Sequence, residues 1–189
     1  MSMKDLRIGV LPIGDVPKIA TEHVAKEIKC NLRIDTDVLS PLGHPDFALD
    51  PKRLQYNAGA ILQALEEYPL HDYTKVIAIL NVDLFIPIFT HVFGEAKQGG
   101  DYALVSLYRL REKRSKITLS APMILDRTAK VALHELGHLF DLVHCLDDGC
   151  LMHFSGTLRD LDDTPLSFCH YCTTFLRDVL GRLRGPRRR

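Results

Sequence analysis

The chain has 189 residues, and its 24 Lys and Arg balance 24 Asp and Glu, so the formal charge is zero with neutral histidines. With 46% apolar residues it has the composition of a globular protein that can bury its own core, which excludes a disordered chain, a collagen and a disulfide-rich mini-protein. No stretch reaches the roughly 18 apolar residues of a membrane span. No secretory leader is recognisable, so we expect a cytoplasmic protein. The balanced charge also lacks the basic stripe of a nucleic-acid binder.

Strands alternate with helices in the first half of the predicted structure. Residues 6–11 and 32–39 have the apolar, β-branched pattern of strands, and residues 20–28 between them have helical spacing. A second helical pattern covers residues 54–65. The apolar run at residues 76–80 is typical of a central strand buried on both faces. Such alternation predicts a right-handed, mostly parallel sheet.

The pattern changes after this point. Residues 92–96 and 102–108 are two extended runs separated by a Gly-Gly-Asp turn, so one of them can pair antiparallel at the sheet edge. The residues alone leave open which of the two runs forms this edge. The arginine-rich end, residues 185–189, is expected to be a solvated tail.

Two more helices are predicted in the second half. Ser120 is a suitable cap for a long helix with Pro122 in its first turn. Apolar residues recur along one face of this helix, which we expect to pack on the core: Leu125, Ala129, Ala132, Leu136 and Leu139. A loop-rich segment follows, and residues 168–183 predict a final amphipathic helix.

The segment His-Glu-Leu-Gly-His, residues 134–138, carries the clearest chemical signal. Four residues of an α-helix turn through about 400°, so His134 and His138 project about 40° apart from one face, opposite the apolar stripe. Zinc binds imidazole nitrogen readily, and a catalytic zinc site uses three protein ligands and leaves a fourth position for water. The spacing therefore predicts two ligands of a zinc site.

His144 is the predicted third ligand. It lies six residues beyond His138, too far round a continuing helix, so the helix must end near Asp141. Glu135 is offset from His134 by about 100° around the helix axis, which places its carboxylate beside the metal, where it can take a proton from zinc-bound water. A purely structural zinc is the alternative, but three histidines without a fourth ligand of suitable spacing favour an open, catalytic site.

Four of the five cysteines form a second cluster, with the spacing C-x4-C-x18-C-x2-C from Cys145 to Cys172. Disulfides are rare in a reducing cytoplasm, and two closely spaced pairs are more typical of a thiolate zinc site. Such a zinc, held by Cys145, Cys150, Cys169 and Cys172, would fasten the last helix to the wall of the histidine site. Metal-free buried thiols are the alternative, and Cys30 has no ligand-like spacing.

The sequence from residue 134 to residue 172 resembles the archaemetzincins, a family of zinc metalloproteases within the metzincins. The histidine segment is similar to the metzincin signature H-E-x-x-H-x-x-G-x-x-H, and the cysteine that directly follows His144 and the Cys-x-x-Cys pair extend the similarity. The resemblance implies the same three histidine ligands and Glu135 as general base and acid. It also implies a structural zinc on the four cysteines and places Met152 in the turn beneath the catalytic metal. Of the two extended runs, it favours residues 92–96 as the edge strand along which substrate lies.

Asp141 stands where the metzincin signature has glycine. Glycine is favoured there because the helix turns sharply through positive φ, and Asp is among the few other residues that tolerate this region. Two roles are open: Asp141 occupies the turn and caps the helix end, which we favour, or its charge acts on the cleft.

Together these observations predict one α/β metalloprotease domain of the α+β metzincin type over residues 1–189. A twisted, mixed five-stranded sheet with helices forms a lobe of about residues 1–140, and a zinc-stapled lobe covers about residues 141–189. The predicted reaction is peptide-bond hydrolysis with two zinc ions per chain, one catalytic and one structural. The expected partner is a peptide or protein, with no membrane and no nucleic acid, and we favour a monomer.

Two alternatives have other functions. One bacterial family of zinc endoribonucleases shares the spacing H-x3-H-x5-H but lacks a glutamate after the first histidine, so Glu135 and the cysteines argue against it. The other is a zinc-stabilised binding protein without catalytic activity, for which Asp141 is the one hint in the sequence.

Overall fold

The computed structural model describes residues 6–68, 70, 72–112 and 120–184, so the predicted arginine-rich tail lies outside the described residues. Its main sheet has five strands in the order β2-β1-β5-β9-β8. The first four are parallel, and β8 pairs antiparallel with β9 at the edge. The strands are β1 (Arg7–Pro12), β2 (Asp35–Val38), β5 (Lys75–Leu80), β8 (Gly94–Ala96) and β9 (Tyr102–Ser106). The predicted mixed five-stranded sheet is confirmed.

A second, smaller sheet of four short strands was not predicted. It has the order β3-β4-β6-β7, with β3 (Leu49–Asp50), β4 (Gln55–Asn57), β6 (Leu84–Ile86) and β7 (Phe89–Val92). The antiparallel edge strand predicted for one of the two extended runs lies within residues 92–96, but only Gly94–Ala96 form it. Val92 pairs with Leu84 in the small sheet and Gly94 pairs with Val105 in the main sheet, so the chain changes sheets at Phe93.

The helices cover both faces of the main sheet. They are α1 (Lys18–Leu32), α2 (Ala58–Glu66), α3 (Leu107–Leu110), α4 (Ala121–Leu139), α5 (Leu158–Asp163) and α6 (His170–Arg184). Side chains of β5 alternate between two cores: Ile77 and Ile79 pack with α1 and α4, whereas Val76, Ala78 and Leu80 pack with α2. The predicted burial of this strand on both faces is confirmed. No described helix is long and apolar enough to cross a membrane.

Three predicted boundaries differ from the structure for local reasons. The strand predicted from residue 32 begins at Asp35, because α1 continues to Leu32 and ends at Arg33 in a left-handed backbone. The second helix begins at Ala58 rather than residue 54, because the Asn57 side chain caps it by accepting a hydrogen bond from the Ala60 N–H at 3.2 Å. Leu54 instead has a left-handed backbone, with φ 55°, and is 76% exposed. The extended run at residues 102–108 ends at Ser106, whose side chain accepts from the Tyr108 N–H and starts α3.

Arg127 ties α4 to the segments on either side of it. Its side chain is fully buried and forms a two-pronged ion pair with Asp162 of α5, at 2.7 and 2.8 Å. The same guanidinium donates to the carbonyl oxygens of Leu110 and Glu112. Removing one partner of a buried pair is far more costly than removing an exposed one, so this contact holds α5 in a fixed position against α4.

Candidate active site and cysteine centre

Helix α4 presents His134 and His138 to a cleft while its opposite face packs on the core. Ser120 caps its start by accepting from the Met123 N–H at 3.4 Å. The apolar stripe predicted from the sequence is buried at Ala129, Ala132, Leu136 and Leu139. The helix is thus anchored at its capped start and along one side, so the two histidines have a rigid base.

Hydrogen bonds to backbone carbonyls orient both imidazoles. The Nδ1 atoms of His134 and His138 lie 2.8 Å from the oxygens of Leu151 and Leu142, respectively. A carbonyl only accepts hydrogen bonds, so each Nδ1 carries the hydrogen and each Nε2 has a lone pair. The two Nε2 atoms are 3.1 Å apart. Two lone pairs at this separation repel each other, and a shared cation removes the repulsion.

The break after α4 brings His144 back to these two histidines. Asp141 has φ 67°, the left-handed backbone expected at the turn. The His144 ring centroid lies 4.8 Å from that of His138 and 5.2 Å from that of His134. One nitrogen from each of the three rings falls within 4.8 Å of the others. The structure therefore brings together the three predicted ligands.

The surroundings keep these imidazoles neutral, which is the form that binds a metal. Burial lowers the pKa of His134 to about 4. Burial also lowers the pKa of His138 and, with the neighbouring His138 and His153, that of His144. Protons thus compete weakly with a metal ion for the three nitrogens, and three imidazoles are a suitable donor set for zinc.

Glu135 is 8% exposed and lies beside the three histidines on the cavity wall. Burial raises its pKa well above that of an ordinary glutamate, and the charge of Glu95 raises it further. A carboxylate with a raised pKa binds a proton more firmly than an ordinary glutamate does, which suits a group that takes and returns a proton.

Gly94 of the edge strand makes room for the Glu135 side chain. A β-carbon at position 94 would lie 2.7 Å from both Cγ and Oε1 of Glu135, far inside van der Waals contact. Sequence reasoning missed both Gly94 and Glu95, because each is an ordinary residue without a motif. A glycine within a predicted edge strand is nevertheless a signal of close approach by another group.

Met152 lies directly beneath the histidine helix. It is fully buried, and a β-carbon at Gly137 would lie 2.5 Å from its sulfur. The thioether thus packs against the backbone of α4 between the two helical histidines. Its role in a turn beneath a catalytic metal stays a prediction from the family resemblance.

The four predicted cysteine ligands also come together, with all sulfurs within 4.8 Å of one another. Backbone N–H groups of Cys169 and Met152 point at the Cys150 sulfur, at 3.3 and 3.4 Å. Burial raises the pKa of Cys150 and of Cys172, whereas the Cys172 backbone N–H lowers that of Cys169. Neutral thiols can lie this close without a metal, whereas four thiolates would need a cation between them, and four sulfurs are a typical zinc donor set.

The two clusters share one short segment of chain. Cys145 directly follows His144, and its N–H donates to the Met152 carbonyl at 2.8 Å. Leu151, whose carbonyl orients His134, lies between Cys150 and Met152 in sequence. The cysteine centre therefore fixes the backbone that positions two of the three histidines.

A cleft of about 570 Å³ opens over the histidines. The edge strand β8 forms one wall, and α4 forms the floor. Phe154, half exposed, contacts the His144 ring at 5.3 Å between centroids and faces Phe89 across 6.4 Å. The cavity is large enough for several residues of a peptide and is lined mainly by apolar groups, as ligand sites commonly are.

Comparison with known proteins gives a consistent result. Residues 26–178 match Peptidase family M54. The archaemetzincin of Pyrococcus furiosus is 33% identical over 187 residues, covering 95% of this chain and 96% of its own. That of Methanocaldococcus jannaschii is 31% identical, covering 92% of this chain and 94% of its own.

Solved structures agree with the sequence relatives. The archaemetzincin of Methanopyrus kandleri superposes with a TM-score of 0.82 at 29% identity, covering 94% of this chain and 96% of its own. A zinc-dependent peptidase of Methanocorpusculum labreanum superposes with a TM-score of 0.79 at 28% identity, covering 89% of this chain and 99% of its own. Neither the nuclease nor the inactive binding protein considered above is favoured by these relatives. The chain belongs to Peptidase family M54, the archaemetzincin family of zinc metallopeptidases.

Proposed function

We propose that His134, His138 and His144 hold a catalytic zinc and that Glu135 is the general base and acid of peptide-bond hydrolysis. The observation that carries this proposal is the 3.1 Å approach of two imidazole Nε2 atoms whose Nδ1 atoms both bond to carbonyls. A third imidazole completes the set from beyond the helix end. Three nitrogen donors with one side open to a cavity leave room for water and substrate.

When bound, zinc supplies Lewis acidity that polarises the scissile carbonyl and acidifies the attacking water. Glu135 takes the proton from that water as the water adds to the carbonyl carbon. The same carboxyl group then gives the proton to the amine as the C–N bond breaks. Because burial raises the pKa of Glu135, its carboxylate is a stronger base than that of an ordinary glutamate and can hold the proton until the amine leaves.

The substrate lies along β8 in this proposal. This strand ends the main sheet and pairs on one side with β9, and residues 94–96 all line the cavity. A peptide can add to such an edge through main-chain hydrogen bonds. This arrangement places the scissile bond between β8 and the floor that carries Glu135.

The second ion of the proposal is a structural zinc on Cys145, Cys150, Cys169 and Cys172. Its support is the cluster of four sulfurs within 4.8 Å. The chain is then one metalloprotease domain, in which this zinc fastens the lobe of residues 141–189 to the lobe of residues 1–140. Met152 supports the backbone beneath the histidines.

The decisive test is Glu135→Gln in zinc-loaded protein, with Glu66→Gln as the matched control. Glu66 is a half-exposed residue of α2, 3.6 Å from Lys97, and it does not line the cavity. Glu135→Gln should keep two zinc ions by native mass spectrometry and lose at least about a hundredfold in turnover of a peptide library. Retained turnover, or loss of the zinc together with the activity, would contradict the assignment of Glu135.

A further inference from the structure

The cavity contains a second carboxylate that the proposed chemistry does not use. Glu95 is the middle residue of β8, pairs with Leu104 of β9 and lines the same cavity as Glu135. Side chains alternate along a strand, so Gly94 faces Glu135 while the Glu95 side chain projects from the other face. Because β8 is the sheet edge, Glu95 still borders the space beside a peptide paired with it.

Glu95 has no cationic partner among residues 6–68, 70, 72–112 and 120–184. The basic side chains of neighbouring elements are already paired with acids. Lys130 of the cavity wall lies 2.8 Å from Asp126, and Lys97 lies 3.6 Å from Glu66. Arg109 is held by Asp83 at 2.6 Å. No described side chain is therefore positioned to neutralise Glu95.

This arrangement leaves the cleft with an excess of negative charge on its edge-strand side. Glu95 is partly buried, and burial raises its pKa. A carboxylate without a partner in a poorly solvated cavity is costly, and a cation placed beside it removes that cost. In a substrate cleft, the missing cation is most simply part of the substrate.

We propose that Glu95 is a specificity-determining residue that binds a cationic group of the peptide substrate, either its α-ammonium group or a basic side chain next to the scissile bond. This inference rests on the proposed peptide hydrolysis at the three-histidine site. Glu95 contacts substrate in this role but transfers no proton and binds no metal.

Four matched peptides test the inference in zinc-loaded wild-type enzyme. The parent has a free N-terminus and a lysine next to the cleaved bond. The others replace the terminal amine by its N-acetyl form, the lysine by norleucine, or both. Removing the recognised cation should lower kcat/KM roughly ten- to a hundredfold, mainly through KM, which is the range for a charge-assisted hydrogen bond. If N-acetylation lowers kcat/KM, the cation that Glu95 binds is the α-ammonium group. If norleucine lowers it, the cation is the lysine side chain.

Glu95→Gln should abolish that discrimination, so that kcat/KM for the peptide with the recognised cation falls to the value that the same variant gives for the fully neutral peptide. Glu95→Lys should invert it, so that a glutamate peptide is cleaved better than the lysine peptide. Glu66→Gln should discriminate as wild type does. Calorimetric binding of the uncleaved peptides to Glu135→Gln, with and without Glu95→Gln, gives the same comparison without turnover.

Equal cleavage of cationic and neutral peptides by the wild type would overturn the inference, as would unchanged discrimination in Glu95→Gln. Either result would leave the proposed hydrolysis intact. Failure of the zinc-loaded wild type to cleave any peptide of a broad library would instead contradict the proposed function, and this inference with it.

Discussion

The Met152 thioether occupies the space where any side chain at Gly137 would lie. A β-carbon there would be 2.5 Å from Sδ and 3.1 Å from Cε of Met152. Because Gly137 has no side chain, the buried sulfur of Met152 packs directly against the α4 backbone between His134 and His138. This contact joins the histidine helix to the segment that carries Leu151 and the cysteines.

Gly137→Ala should therefore destabilise the protein, although alanine is the better helix former. Forcing Met152 aside costs about 1–3 kcal/mol, which exceeds the helical gain of about 1 kcal/mol. Urea unfolding measures the difference. The control is Gly181→Ala on α6, where a β-carbon meets no atom within 4 Å and where we expect a neutral or stabilising effect. Equal stabilities of the two variants would argue against the Met152 contact.

Gly94→Ala should reduce turnover without removing metal. Its methyl group would overlap Cγ and Oε1 of Glu135, at 2.7 Å, so the carboxylate must leave its position. A displacement of about 1 Å can cost a hundredfold in rate, so we expect kcat to fall by about that factor at unchanged zinc content. Gly43→Ala, whose β-carbon would meet no atom within 4 Å, is the control. Normal kcat in Gly94→Ala would mean that Glu135 is not held by this contact.

The sequence predicted the ligand sets because their information is local. The spacing of His134 and His138 fixes their direction on any helix, and the four thiols are few enough to identify as one group. The contribution of Gly94 and Glu95 depends on where the chain leaves one sheet and joins another. Val92 and Gly94 belong to one continuous extended run, and only pairing with distant strands assigns them to different sheets.

Removal of two cysteine ligands should weaken the histidine site as well as the fold. Cys169→Ser with Cys172→Ser leaves two sulfurs, too few for a stable zinc, and frees the backbone at Cys145 and Leu151 that positions the histidines. We expect a loss of one zinc ion in native mass spectrometry, a lower Tm and weaker retention of the other ion against a chelator. Cys30→Ser, at an exposed cysteine, should change none of these. An unchanged Tm in the double variant would contradict the structural role.

Acid should destabilise the metal-free protein through His134. Its pKa is lowered to about 4 in the folded state from 6.5, so the unfolded chain binds more protons between these values and stability falls as the pH decreases. Relative to His134→Gln, the wild type should lose at most about 3 kcal/mol between roughly pH 6.5 and pH 4. Urea unfolding in EDTA across this range measures it. Parallel pH dependences of the two proteins would contradict the lowered pKa.

Asp141→Gly should leave the histidine site and its pH dependence almost unchanged. Asp141 has φ 67°, a backbone conformation that glycine adopts without strain, so the substitution relieves strain in the folded state. Glycine also has greater freedom in the unfolded chain, which opposes this relief. The free energy of unfolding should therefore change by about 1 kcal/mol or less. The backbone contacts at this turn persist: the Gly99 N–H donates to the His138 carbonyl at 2.9 Å, and the Gln98 side chain donates to the Asp141 carbonyl at 3.2 Å.

The two roles of Asp141 differ in the acidic limb of the pH–rate profile, where Glu135 must lose its proton to act. Burial and Glu95 raise the pKa of Glu135, so Glu95→Gln should move this limb to lower pH, because removing a nearby negative charge favours the ionised base. Asp141→Gly should not move it. A limb displaced by a full unit in Asp141→Gly would show that this carboxylate acts on the cleft, and that its place in the turn is not its main role.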